Sequence, residues 1–187
     1  MPARPVLPTL IAVLTMVVLS TAARAQLFET RAPHAYMVEA ETGTVLFSKD
    51  PDRKIPPASL AKLMTMEVVF HELKAGRVSL DDMYKVSEHA WRTGGAPSGG
   101  STMFAELDSS IRLEDLIKGV VVQSANDGCI IIAEGLAGST ERFVQMMNER
   151  ARAIGLTQAQ FKNVHGLPAE GQGVTVKELA KLAQHIW

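Results

Sequence analysis

Between Ser59 and Ala75 the chain places apolar residues at Leu60, Leu63, Met64, Met66, Val68, Val69, Phe70 and Leu73. At 3.6 residues per turn these positions cover most of a helix's circumference, and a helix apolar on most sides belongs in the middle of a domain. Pro56-Pro57 precedes the stretch, where the first helical amides have no partner to lose, and Gly76 follows it as a C-cap. This helix is therefore expected to be buried by the rest of the chain. Lys62 lies inside it, a cation where water is least expected.

The first 25 residues are set apart from the fold. Arg4 gives a small positive head, Leu7 to Leu19 is an apolar run, and Ala23-Arg24-Ala25 is a small-x-small cleavage site. This is the pattern of a secretory signal peptide cleaved after Ala25. Residues 26–187 then form one domain with room for a real core. No second apolar segment of spanning length follows, so the mature chain is expected to be soluble and exported. The net charge is −1 with the two signs interspersed, which gives no basic stripe for nucleic acid and no patch for an anionic membrane. Cys129 is the only cysteine, so it has no internal disulfide partner, and its run Cys129-Ile130-Ile131-Ile132 predicts a buried thiol acting as a small apolar group.

Local patterning predicts a mixed α/β chain. Ala35 to Ala40 and Thr44 to Ser48 read as two strands joined at Glu41-Thr42-Gly43, with Gly43 supplying a positive φ. Asp81 to Trp91 mixes a short extended piece with a short helix, and Thr93 to Ser101, rich in Gly, Ser and Pro, reads as a flexible loop. Helices are expected over Leu113 to Val122, Asp127 to Ala137 and Thr140 to Ile154, the last closed by Gly155. His165 to Gly173 is a loop. Thr175-x-x-Glu178 predicts a capping box opening a final helix with an apolar stripe of Val176, Leu179, Leu182, Ala183 and Ile186.

Chemistry concentrates in two places. Ser59 and Lys62 are three apart, so one helical face carries both. Serine becomes a competent nucleophile when a base takes its proton, and lysine is such a base when burial lowers its pKa. Ser124 and Asn126 lie on a turn between two helices. They fit two readings: a helix-ending turn, or a hydroxyl that relays a proton with an amide that binds substrate and Lys62. The five histidines lack metal-ligand spacing, and neither a Gly-x-Ser-x-Gly elbow nor a phosphate loop is present.

Ser-x-x-Lys followed by Ser-x-Asn resembles the motif set of penicillin-binding proteins and serine β-lactamases. The segment Pro57-Ala58-Ser59-Leu60-Ala61-Lys62-Leu63-Met64-Thr65, then Gln123-Ser124-Ala125-Asn126-Asp127, then Val164-His165-Gly166-Leu167, is similar to the low-molecular-weight D-alanyl-D-alanine carboxypeptidases. The resemblance runs from about Ala35 to Trp187. It implies an α/β penicillin-binding, transpeptidase-type fold, with the N-terminal hairpin beginning a sheet flanked by helices and a helical subdomain carrying Ser124. It further implies Ser59 as nucleophile, Lys62 as general base, Ser124 as proton donor to the leaving amine and Asn126 as substrate ligand, with no cofactor and no metal. The implied partners are peptidoglycan stem peptides ending in D-Ala-D-Ala, with β-lactams as covalent inhibitors, in the periplasm.

The family's third motif, Lys-Thr-Gly, does not occur, since Lys162, Lys177 and Lys181 are each followed by other residues. The expectation is therefore the N-terminal portion of such an enzyme, truncated before the C-terminal strands, with any C-terminal membrane anchor outside it. Two other readings stand beside this one. An exported chain that only binds peptidoglycan or a partner fits the absent third motif. A class A-like β-lactamase needs a deacylating glutamate about forty residues after the second motif, and Gln158 to Val164 holds none.

Overall fold

Tyr36 and Val38 turn half-buried while Met37 faces solvent, the period-two pattern of a strand with one covered face. This strand, β1 (Ala35–Val38), pairs antiparallel with β2 (Val45–Lys49) from Ala35↔Lys49 to Val38↔Val45, with an irregularity after Met37. The Glu39 carboxylate closes the turn by accepting the Glu41 and Thr42 amides and the Thr42 hydroxyl, and Gly43 takes φ +70°. In this computed structural model residues 29–187 are described, and Pro33–Trp187 form one unit. The expected leader over 1–25 lies outside the described residues.

The remaining strands are short. β3 (Lys54–Ile55) pairs antiparallel with β6 (Val174–Thr175), and β4 (Met83–Lys85) with β5 (Ser110–Arg112). Among the described residues each of these sheets has two strands, so the hairpin begins no wider sheet here. The helices are α1 (Ala61–Lys74), α2 (Glu88–Thr93), α3 (Leu113–Gln123), α4 (Asn126–Ala137), α5 (Thr140–Ala153) and α6 (Val176–Ile186). No helix among the described residues is long and apolar enough to cross a membrane.

Both α4 and α1 lie at the centre of the domain. Asn126 through Ala133 are buried without interruption, and α4 packs against α2, α3, α5 and β4. Helix α1 is buried without interruption from Met64 to Val69 and reaches solvent at Phe70, 36% exposed, while Leu60, 53% exposed, lies on the turn before it. The burial expected of this helix is found along most of its length. Ile130, Ile131, Ile132, Phe143, Met147, Phe161 and Leu182 complete the core formed with α1, α4, α5 and α6.

Three further expectations change. The segment 93–101 is fastened: a Cβ at Gly94 would lie 2.6 Å from the Asp127 amide nitrogen, and Ala96–Ser98 forms a 3₁₀ turn. Its glycines permit close backbone approach, which composition alone does not separate from looseness. The capping box is half made. Thr175 Oγ1 accepts the Glu178 amide at 3.0 Å, but the Glu178 carboxylate accepts the Gln158 amide at 2.7 Å, because the Thr175 residue is already paired in β6. Ala183 is exposed, so the stripe of α6 narrows to Leu179 and Leu182 with half-buried Val176 and Ile186.

Candidate active site

Ser59 sits on a 3₁₀ turn, Ala58–Leu60, immediately before α1 and not within it. The turn arises because Ala58 is held at φ +48°, a conformation that L-residues seldom adopt, after the buried Pro57. The first turn of α1 has no acidic residue and no side-chain cap, so its positive end is left for charge developing at Ser59.

Lys62, one helical turn later, is 6% exposed. Its Nζ donates to Ser59 Oγ at 3.3 Å and to the His165 carbonyl at 2.9 Å. Burial lowers its pKa below the ordinary lysine value of 10.5, which favours the neutral amine. The same low-dielectric surroundings act on Cys129, whose fully buried thiol is pushed up to about 12 and stays protonated.

The segment that receives Lys62 is built with care. Asn148 of α5 holds Phe161 by its carbonyl and amide, both at 2.9 Å, and Thr65 Oγ1 donates to the Val164 carbonyl at 2.6 Å. Asn163 Oδ1 accepts the Gly166 amide at 2.7 Å. Gly166 then passes against the nucleophile turn at φ +90°, where a Cβ would overlap the Ala58 carbonyl oxygen. Gly166→Ala is therefore expected to destabilise the protein by about 3 kcal/mol or more, combining left-handed strain with a backbone clash. Gly99, also at positive φ but with open space around it, should cost only about 1–2 kcal/mol on the same change. Denaturant unfolding of the two variants measures the difference; equal midpoints would contradict this account of Gly166. Burial, then the nearby Lys62 and His89, push the His165 imidazole down to about 4, so it is neutral at pH 7.

Ser124 closes α3 at φ +55° and is half-buried. With Ser59, Leu60, Lys62, Leu63, Met66, Val120 and Val121 it lines a cleft of about 210 Å³. Three of the four residues singled out in sequence thus meet at one cleft. Asn126 is buried beside Gly100, whose added Cβ would lie 3.0 Å from Asn126 Nδ2. The expected bond from Asn126 to Lys62 is not made; Lys62 Nζ donates to Ser59 and His165 instead.

Asp127 was missed as a site-building residue. Fully buried, it accepts from Thr102 Oγ1 at 2.6 Å and from the amides of Met103, Ala105 and Gly128 at 3.0, 3.2 and 2.9 Å. The signal in the sequence is an acid in the first turn of the helix, directly before the unbroken small and apolar run Gly128 to Ala133.

A hydroxyl against a buried amine, with a second hydroxyl across the cleft, suits acyl transfer through a serine ester. The family described as D-alanyl-D-alanine carboxypeptidase matches residues 20–187. The chain is 43% identical over 149 residues to the D-alanyl-D-alanine carboxypeptidase DacC of Escherichia coli K12, covering 79% of this chain and 37% of that protein. It is 35% identical to DacF of Bacillus subtilis 168, covering 83% and 39%. Among solved structures, the carboxypeptidase DacD of Francisella tularensis superposes with a TM-score of 0.80 at 37% identity, over 84% of this chain and 37% of that one. Penicillin binding protein 5 of Haemophilus influenzae gives 0.81 at 32% identity, over 85% and 46%. The fold is thus the penicillin-binding, DD-transpeptidase type in a mostly helical portion. The chain spans less than half the length of these relatives.

Proposed function

The chain belongs to the D-alanyl-D-alanine carboxypeptidase family, and from that premise we propose that Ser59 is acylated by the penultimate D-alanine of a peptidoglycan stem pentapeptide. Ser59 Oγ attacks the carbonyl carbon and its proton goes to Lys62 Nζ. The C–N bond to the terminal D-alanine breaks as the ester forms, and the leaving nitrogen takes a proton through Ser124 Oγ. Water then hydrolyses the ester and restores the serine. Asn126 hydrogen-bonds the substrate backbone. β-Lactams acylate the same oxygen. Residues 1–25 act as a secretory leader and direct the protein to the periplasm, where this substrate lies.

The observation that carries the reading is Lys62, a residue 6% exposed whose Nζ lies 3.3 Å from Ser59 Oγ. A buried amine with lowered pKa beside a hydroxyl has the form of a general base with its nucleophile. The test is D-alanine release by the full-length protein from a peptide ending in D-Ala-D-Ala. Catalytic release with a long-lived penicillin ester is expected. Rapid turnover of penicillin would move the reading to a β-lactamase, and binding without release or acylation would move it to a peptidoglycan-binding protein.

A further inference from the structure

The proton-relay arm of the site hangs on one buried carboxylate. Each oxygen of Asp127 receives two donors: Oδ1 takes the Met103 amide at 3.0 Å and the Gly128 amide at 2.9 Å, and Oδ2 takes Thr102 Oγ1 at 2.6 Å and the Ala105 amide at 3.2 Å. Three of these four donors belong to the loop 102–105. The fourth belongs to α4, of which Asp127 is the second residue. Next to it the Asn126 amide donates to the Ser101 carbonyl at 2.8 Å, and Gly94 packs against the Asp127 backbone. The Met103 side chain in turn fills the space left by Gly119 on α3 and Gly128 on α4. Ser124 lies between those two glycines, on a turn held at positive φ. The Ser59–Lys62 arm is fastened separately, through Val164, His165 and Gly166.

We propose that Asp127 is a positioning residue that fixes Ser124 for proton delivery by clamping the loop 101–105 onto the α3–α4 turn. This rests on the functional reading above. A fully buried carboxylate with four donors leaves no slack, so loosening it shifts the turn while the nucleophile and its base stay in place. A misplacement of about 1 Å in a catalytic group costs on the order of a hundredfold in rate. Asp127→Asn must present an amide N–H₂ to a pair of donors, which breaks the clamp without removing volume.

The test is a double-mutant cycle in the full-length protein, read as the rate constant of acylation by penicillin. Asp127→Asn is expected to slow acylation by about tenfold to a hundredfold in the Ser124-containing protein. In the Ser124→Ala background the same change should cost less than about threefold, because the group it positions is gone. A merely structural carboxylate lowers the unfolding midpoint equally in both backgrounds and leaves the rates additive. Thr102→Val, which removes the 2.6 Å bond to Asp127 together with the 2.9 Å bond that Thr102 Oγ1 accepts from the Phe104 amide, serves if Asp127→Asn does not fold, with a smaller loss that also vanishes with Ser124. Parental rates for the clamp variants, or additive losses, would overturn the proposal. A Ser124→Ala protein that acylates at the parental rate would overturn the functional reading instead.

Discussion

Ser59→Ala will abolish penicillin acylation and lower D-alanine release by at least about ten-thousandfold, the scale seen when a serine nucleophile is removed. Ser59 is the hydroxyl to which Lys62 donates, on a turn whose shape is set by Pro57, Ala58 and Gly166 and not by the serine side chain. The side chain is exposed, so its loss removes no core contact. The unfolding midpoint should therefore stay within about 0.5 kcal/mol of the parent, as for other exposed positions. Activity lost without stability is the signature expected of a reacting atom. A variant that keeps measurable acylation would place the nucleophile elsewhere, with Ser124 the first place to look.

Lys62 should show the second-largest effect. Lys62→Met is expected to slow acylation by about a hundred- to ten-thousandfold, the usual contribution of a general base. Lys62→Arg should fall by a similar factor although it retains the charge, since guanidinium does not give up its proton in proteins. This separates the base from a role as a fixed cation, for which arginine would be a working substitute. The pH profile carries the same information. Burial lowers the Lys62 pKa, so the neutral amine accumulates as pH rises, and acylation should climb along a limb centred below 10.5. As pH falls through that limb the amine is protonated and the rate declines. Lys62→Met should flatten this limb; an unchanged limb would assign it to another group.

Much of the fold is written in short-range pattern. Gly43 and Gly76 mark the hairpin turn and the end of α1, and both are found at positive φ where those features require it. The helices 113–123 and 140–153 follow the apolar spacing closely, because each faces the core along one stripe, and the helix 126–137 follows its unbroken apolar run. The apolar character of α1 and of the run Cys129–Ala133 is matched by the burial of Met64 to Val69 and of that whole run. What pattern does not carry is where a face opens: Phe70 reaches solvent within α1. That depends on which elements meet, a property of the whole chain.

The candidate site divides the same way. Ser59 and Lys62 are picked out by their spacing on one helical face, and Ser124 by the motif order that carries the family resemblance. Asp127, the His165 carbonyl and Gly166 are not, since each acts through contacts between segments far apart in sequence. Gly94 and Gly95 look like a slack loop from composition and are instead places where backbone approaches backbone. The Asn126 carboxamide also shows how spacing falls short, since Lys62 Nζ, the partner expected for it, donates to Ser59 and His165 instead.

The most direct measurement is the mass of the full-length protein after exposure to penicillin, followed by peptide mapping of the adduct. One penicilloyl group on the peptide carrying Ser59, lost slowly in buffer and absent from Ser59→Ala, is the predicted result. No adduct, or an adduct on another residue with Ser59 unmodified, would contradict the assignment of Ser59 as the nucleophile.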